Sequence, residues 1–243
     1  MSYWNLRSNG FSDMTVYEMN QKYTEWQSRL LHCPDVAPGS SVLDVGCGPG
    51  FFSMIMGSAG MRVTGIDFSE EMLNHAGNNC KINGIEAEFL KADVQELGFE
   101  DETFDLIVSR NVIWNLEHPE KAYREMYRVL KPNGIIKIFD GNFYLHLHDE
   151  DYKTRYRIFS ETEGVSHETF NKDRVDFGIM EELAYNLPLS KVRRPQWDVS
   201  LLREVGFDID STTFFGGGFT AKENGRDFCL ADTFQIVALK GVI

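Results

Sequence analysis

An α/β fold of alternating strands and helices is predicted by three observations. A β-branched, apolar run, Ser41 to Val45, breaks into glycines at 46, 48 and 50 and then into the small, apolar stretch Phe51 to Ala59. The rhythm returns at Met61–Asp67 followed by Glu70–Asn79, and again at Phe104–Ser109 followed by Pro119–Leu130. Strands that alternate with helices build parallel sheets covered on both faces, and such buried strands read as continuous apolar runs.

The chain of 243 residues is 42% hydrophobic, which is ample for a core, and no apolar run approaches membrane-spanning length. Its start, Met1-Ser-Tyr-Trp-Asn-Leu-Arg, lacks the apolar centre of a signal peptide. The four cysteines, Cys33, Cys47, Cys80 and Cys229, are widely spaced, which suits unpaired thiols in a reducing cytoplasm. A formal charge of −13 excludes the basic footprint that nucleic-acid phosphates demand, so a small molecule is the expected partner. The one compact basic group, Lys191-Val-Arg-Arg194, reads as a solvated loop.

In chain order, Asp13 to Leu31 has helical spacing (Val16, Met19, Tyr23, Trp26, Leu30) and ends before Pro34, so one or two helices are expected over the ligand edge of the sheet. The glycine turn after Val45 brings backbone N–H groups close to a ligand, because no Cβ intervenes. Asp67 ends the second strand, 21 positions beyond Gly46, where a carboxylate can bond ribose hydroxyls; Ser69 is the better N-cap for the helix that follows. Glu86–Asp93 reads as strand three. Strand four delivers Ser109-Arg110-Asn111 to the crevice where α/β sheets bind ligands. Pro119 opens an amphipathic helix with Ala122, Met126, Val129 and Leu130 inward. Lys131-Pro-Asn-Gly134 is a turn and Ile135–Asp140 is strand five. The segment 141–195 then breaks the rhythm. Trp197–Val205 is a helix capped by Gly206, and Phe207–Phe215 and Phe234–Leu239 are β-rich, with Gly216-Gly-Gly218 opening their connection.

The glycines stand as G-x-G-x-G, one residue shorter than the dinucleotide fingerprint, with Asp44 two residues ahead. This form resembles the first motif of the class I S-adenosylmethionine (SAM)-dependent methyltransferases. The run from Arg128 to Ile135, Arg-Val-Leu-Lys-Pro-Asn-Gly-Ile, closely resembles the family's last common block. The resemblance covers 40–140 strongly and 197–240 by pattern. It implies a three-layer sandwich on a seven-stranded, mainly parallel sheet closed by an antiparallel C-terminal strand, with a helical substrate-binding insertion. The whole of 1–243 would then be a single domain: an N-terminal helical lid (1–38), a SAM-binding core (39–140), the insertion (141–196), and a C-terminal helix and strand pair (197–243).

The same resemblance assigns the cofactor contacts. Asp44, Gly46, Cys47, Gly48 and Gly50 would meet the amino-acid half, with Arg110 and Asn111 beside it. Asp67 would take the ribose and Phe68 the adenine face. Asp93 and the Val94 amide would supply the acceptor and donor that an adenine edge needs. Tyr17 or Tyr23 would cover the site. No Pro-Pro pair follows strand four or occurs anywhere, which speaks against a planar amine of adenine, cytosine or glutamine as acceptor.

Methyl transfer from a sulfonium rests mainly on positioning, and a base is needed only where the acceptor must lose a proton. His146, His148 and Tyr144 are the candidates. Alternate histidines on an extended segment could also begin a metal site, but two ligands do not close one, and no metal is expected. Arsenite methylation would need more cysteines, and radical chemistry a CxxxCxxC cluster that is lacking. The aromatics and acids of the insertion suggest a partly apolar, cationic acceptor; the methylated atom stays open. The chain is expected as monomer or homodimer. Two rival readings remain: a non-catalytic SAM binder on the same fold, and a nicotinamide-dinucleotide oxidoreductase, against which the short glycine spacing speaks. Asp67→Ala is expected to weaken SAM while leaving the apo protein's stability nearly unchanged.

Overall fold

The computed structural model describes residues 3–32, 36–161, 170–215, 220–223, 226–229 and 232–241. Helix α1 (Tyr3–Leu31) leads into β1 (Ser41–Val45), α2 (Phe51–Ser58), β2 (Arg62–Asp67), α3 (Glu70–Ile82), β3 (Ala87–Lys91) and β4 (Phe104–Arg110). Then follow α4 (Pro119–Val129), β5 (Leu130–Gly141), α5 (Glu150–Glu161), α6 (Gly178–Asn186) and α7 (Gln196–Val205). The strands β6 (Phe207–Phe215), β7 (Thr220–Glu223), β8 (Arg226–Cys229) and β9 (Thr233–Lys240) complete the order.

Seven strands form one sheet in the order β3-β2-β1-β4-β5-β9-β6, with β7 and β8 as a separate ribbon. The strands from β1 to β5 pair in parallel, while β9 lies antiparallel to both β5 and β6. The expected sheet and its closing antiparallel strand are therefore present. Helices cover both faces: α4 and α7 bury Tyr123, Met126 and Leu202 on one side, and α1 and α2 bury Trp26, Phe52 and Met56 on the other. Strand order reverses between β1 and β4, so their carboxyl ends open a crevice.

Local chemistry explains most element ends. Ser69 caps α3 by accepting from the Met72 amide at 3.2 Å, and Gly206 ends α7 at φ 118° with its N–H shared between Leu202 and Arg203 carbonyls. Two buried lysines on the sheet close helices from the far side. Lys137 on β5 donates to the Arg29 and Leu30 carbonyls of α1 (2.8 and 3.0 Å), and Lys240 on β9 donates to Tyr127 and Leu130 carbonyls at the end of α4 (2.9 and 2.7 Å). An ammonium at a helix C-terminus satisfies orphan carbonyls and complements the dipole.

Three expectations need correction. The N-terminal helix is a single element of 29 residues that begins ten positions before Asp13, because its first turns pack against the crevice rather than the sheet. The turn at Lys131–Gly134 is an irregularity within β5: Phe104 pairs with Leu130 and Leu106 with Ile135, and the intervening residues bulge outward. Arg194 is not solvated. It is wholly buried, donates to Asp198 (2.8 and 2.5 Å) and sits 3.1 Å from Asp140, tying α7 to β5; Lys191 and Arg193 of the basic group are exposed as expected, Arg193 paired with Asp149. Gly216 to Gly218 lie outside the described residues.

Candidate active site

A cavity of about 700 Å³ lies over the carboxyl ends of β1, β2 and β4 and is roofed by α1 and by side chains that follow β5, among them Tyr144, His146, Tyr156 and Phe177. Its floor is the turn after β1. Gly46 and Gly48 have φ of +61° and +52°; a Cβ on Gly46 would stand 2.3 Å from Val112 Cγ2, whereas one on Gly48 would meet nothing within 4 Å. Gly46 is thus required by protein packing, and Gly48 leaves open space.

Carboxylates ring this floor. Asp44 is buried at the end of β1, accepts from the Ser53 hydroxyl at 2.6 Å, and burial pushes its pKa up to about 7. Asp67 accepts from the Gly48 amide (2.9 Å) and the Ser69 amide (2.8 Å), and burial raises its pKa above the usual carboxylate range. The acid at the tip of β2 therefore shapes the glycine turn. A carboxylate has about four lone-pair sites, so it retains acceptor capacity toward the cavity. Asp93 accepts from the amide and side chain of Gln95, and Phe68 is exposed at the rim.

The other half of the cavity is aromatic and carries the histidine. Trp114 stacks on Tyr144 (centroids 4.9 Å apart) and meets Trp4 at 6.4 Å. Asp140 holds the Trp114 amide at 3.1 Å, so the buried Arg194 network positions this wall. His146 stacks on Tyr156 at 4.0 Å with planes 4° apart. Its Nδ1 lies 3.3 Å from the Phe143 carbonyl, which only an N–H can face, so Nδ1 carries the proton. Nε2 is buried with no hydrogen-bond partner, and Glu181 stands 3.9 Å away, beyond bonding distance. Burial lowers the His146 pKa, so the imidazole is neutral at pH 7.

The crevice position, the glycine turn with its acids and the aromatic half fit the comparisons with known proteins. Residues 43–138 match the family model described as a methyltransferase domain. A demethylmenaquinone methyltransferase of Bacillus cytotoxicus is 35% identical over 118 residues, covering 47% of this chain and 50% of that protein. One of Staphylococcus epidermidis is 26% identical over 210 residues, covering 84% of this chain and 83% of that protein. Among solved structures, a SAM-dependent methyltransferase of Methanosarcina mazei shares the fold, with TM-score 0.59, 22% identity, and coverage of 86% of this chain and 96% of that one. Residues 43–138 are thus a methyltransferase domain, and the likenesses support a class I SAM-dependent methyltransferase.

SAM is the cofactor that this likeness implies, and the cavity fits it: open space over Gly48, the acid at the β2 tip and Asp93-Val94 all line it. Of the residues expected to hold the cofactor, Asp44, Gly46, Cys47, Gly48, Asp67 and Phe68 line the cavity. So do Asp93, Val94, Arg110 and Asn111. Three do not. Gly50 packs on Ala76 of α3, Tyr17 rests on Phe170, and Tyr23 faces Gln27. Tyr3, Trp4 and Phe11, from the first three turns of the same helix, take the covering position instead. Arg110 is also not free for a ligand's carboxylate, since Glu18 holds it with two hydrogen bonds (2.9 and 2.8 Å).

Among the candidates for proton transfer, Tyr144 and His146 line the cavity and His148 does not. His146 sits on a short helical turn, Leu145–Leu147, and His148 ends it, so neither is on an extended strand. Their rings diverge: His148 is exposed and bonds the Tyr185 carbonyl, so they cannot share a metal. Burial raises the Tyr144 pKa beyond use as a base near neutrality. Sequence reasoning missed Arg7, Glu18, Trp114, Tyr156 and Glu181. The spacing Trp4, Arg7, Phe11, Met14, Glu18 is a helical stripe, readable once the helix is begun at Tyr3.

Proposed function

We propose that the acceptor is a small hydroxylated aromatic ring and that His146 takes the proton released when this ring is methylated. The carrying observation is the state of His146: neutral, with Nδ1–H fixed on the Phe143 carbonyl and Nε2 left as the one acceptor nitrogen on an aromatic wall. Trp114, Tyr144 and Trp4 offer faces against which a ring stacks, and relatives over most of the chain's length are named for a quinone acceptor.

SAM supplies an electrophilic methyl group, and the protein's part is to place the acceptor and exclude water. On the proposed reading, Gly48 gives the methionine half room, Asp67 receives ribose hydroxyls, and Asp93 with the Val94 amide meets adenine beside Phe68. His146 Nε2 accepts the hydroxyl proton, leaving the ring oxygen or the carbon beside it as the nucleophile. Tyr156 and Glu181, which cover Nε2, give way as the acceptor enters. The partition into lid, core, insertion and closing strands goes with this reading, as does a cytoplasmic enzyme acting on a small molecule. Among the described residues no helix is long and apolar enough to cross a membrane.

The test is acceptor-dependent release of S-adenosylhomocysteine over a panel of hydroquinones and phenols, with matched amines and thiols. Turnover of hydroxylated rings, lost about 100-fold or more in His146→Gln, is expected. Turnover confined to amines, or undiminished in the variant, sinks the proposal.

A further inference from the structure

We propose that Arg7 is an anion-recognition residue of the acceptor site: the ring presented to His146 bears a second, anionic oxygen, as carboxylate or phenolate, that pairs with the Arg7 guanidinium. The inference rests on the proposed function for the nature of the ring and adds the substituent that selects it.

Arg7 is 3% exposed, on the stripe of α1 that lines the cavity. Its guanidinium lies between two aromatic rings, 5.4 Å from the Phe11 centroid and 4.9 Å from that of Phe177. One nitrogen donates to Asn171 Oδ1 at 2.7 Å, and Nε is buried with no partner. Among the described residues no carboxylate pairs with it at contact: Asp173 acts on it only from beyond ion-pair distance, and its neighbours Tyr3, which shares a hydrogen bond with it, and Tyr144 are neutral. Other arginines are handled differently: the buried Arg194 has Asp140 and Asp198, and the half-buried Arg110 has Glu18. A buried cation without an anion is costly, and burial depresses its pKa accordingly. An arginine kept in that condition at a cavity wall is completed by an anionic ligand, which its planar fork binds at two points. Tyr144 lies between Arg7 and His146 on that wall, 5.9 Å from the imidazole by ring centroids, so the two groups address one aromatic space. The cationic acceptor suggested by the insertion's acids is disfavoured for the same reason.

Binding, not turnover, tests this. Protein saturated with S-adenosylhomocysteine is titrated with 4-hydroxybenzoate, its neutral amide 4-hydroxybenzamide, and hydroquinone, reading tryptophan fluorescence, since Trp4 and Trp114 line the cavity. Wild-type protein should bind 4-hydroxybenzoate about tenfold or more tightly than the amide. Arg7→Gln should abolish the difference and Arg7→Lys retain part of it. If the native anion is a ring oxygen, hydroquinone binding should fall in Arg7→Gln and hold in Arg7→Lys. Absence of any anion preference in wild-type protein, together with Arg7-independent hydroquinone binding, overturns the proposal without reference to the folding of a variant. So does an Arg7→Gln protein of wild-type thermal stability whose defect is confined to S-adenosylhomocysteine, since Arg7 would then hold the cofactor's own carboxylate. A protein that binds the anion and never methylates a hydroxylated ring would refute the proposed function and leave the role of Arg7 standing.

Discussion

Glu18 and Arg110 form a bidentate ion pair, with nitrogen–oxygen distances of 2.9 and 2.8 Å, that fastens the middle of α1 to the tip of β4. The guanidinium lies over Trp26 and Phe51, at 4.7 and 5.0 Å from their centroids, so the pair is seated in an aromatic cage between helix and sheet. This contact helps to hold the N-terminal helix as a wall of the cavity.

Removing the carboxylate should therefore loosen the roof. Glu18→Gln leaves Arg110 caged and unpaired, and hydrogen bonds to charged groups contribute about 1.5–3 kcal/mol. For a chain of this size that corresponds to a melting temperature lower by about 3–10 °C. SAM affinity should weaken in parallel, as calorimetry on the same variant would show. An unchanged melting curve would mean that α1 is held by its apolar face alone.

The two glycines at the turn should respond in opposite ways. Gly48→Val puts its side chain into open cavity space, so SAM binding should disappear while the apo protein melts within a few degrees of wild type; the positive φ costs about 1–2 kcal/mol. Gly46→Ala drives a Cβ to 2.3 Å from Val112 and should destabilise the fold itself, with partial recovery in the Gly46→Ala/Val112→Ala double variant. Thermal melts with and without SAM separate the two outcomes.

The core was legible because its signals are local. Period, glycine spacing and strand-end acids in 41–140 report directly on backbone geometry, and nearly every core residue singled out there lines the cavity. What escaped depends on distance. Glu18 pairs across 92 positions and Arg194 across 54, and no periodicity announces such partners. Tyr17 and Tyr23 were reasonable as aromatics on a helix, but which stripe faces the ligand is set by where α1 crosses the sheet. Lys137 inside a buried strand likewise reads as a mismatch until the carbonyls of α1 are seen around it.

Asp67 must now be expected to matter for the apo protein. Its carboxylate accepts two backbone amides at 2.9 and 2.8 Å, one from the glycine turn and one from the residue capping α3. Asp67→Ala should lower stability by about 1–3 kcal/mol in addition to weakening SAM, against the sequence-based expectation of a silent apo phenotype. Asp67→Asn, which keeps one acceptor, should fall between. Denaturant unfolding of the three proteins without ligand decides the matter.

The depressed pKa of His146 fixes the sign of the pH dependence. The base works while neutral, so kcat/KM should be flat near pH 7 and fall on acidification through a pKa below the ordinary imidazole value of 6.5. Folding is linked in the same direction. The unfolded chain binds this proton more readily, so stability is lost as pH drops from about 6.5 toward the folded value. His146→Gln should abolish both the activity and the acid limb of the stability curve that the imidazole contributes.

Asp44 offers the reverse case and a direct reading of cofactor binding. Its folded pKa of about 7 lies well above the ordinary aspartate value of 3.8, because burial penalises the ionised form. Stability contributed by the neutral carboxyl is thus present below the unfolded value and lost as pH rises to 7. A cationic ligand over the turn favours the carboxylate, lowers that pKa and expels the proton. SAM affinity should accordingly increase with pH up to about 7 and level off above it, and the calorimetric enthalpy near neutrality should vary with the ionisation enthalpy of the buffer. Asp44→Asn, whose amide oxygen still accepts from Ser53, should melt higher than wild type at pH 8 and no higher at pH 5, yet bind SAM more weakly and release no proton. A wild-type enthalpy independent of buffer would show that Asp44 does not sense the cofactor's charge.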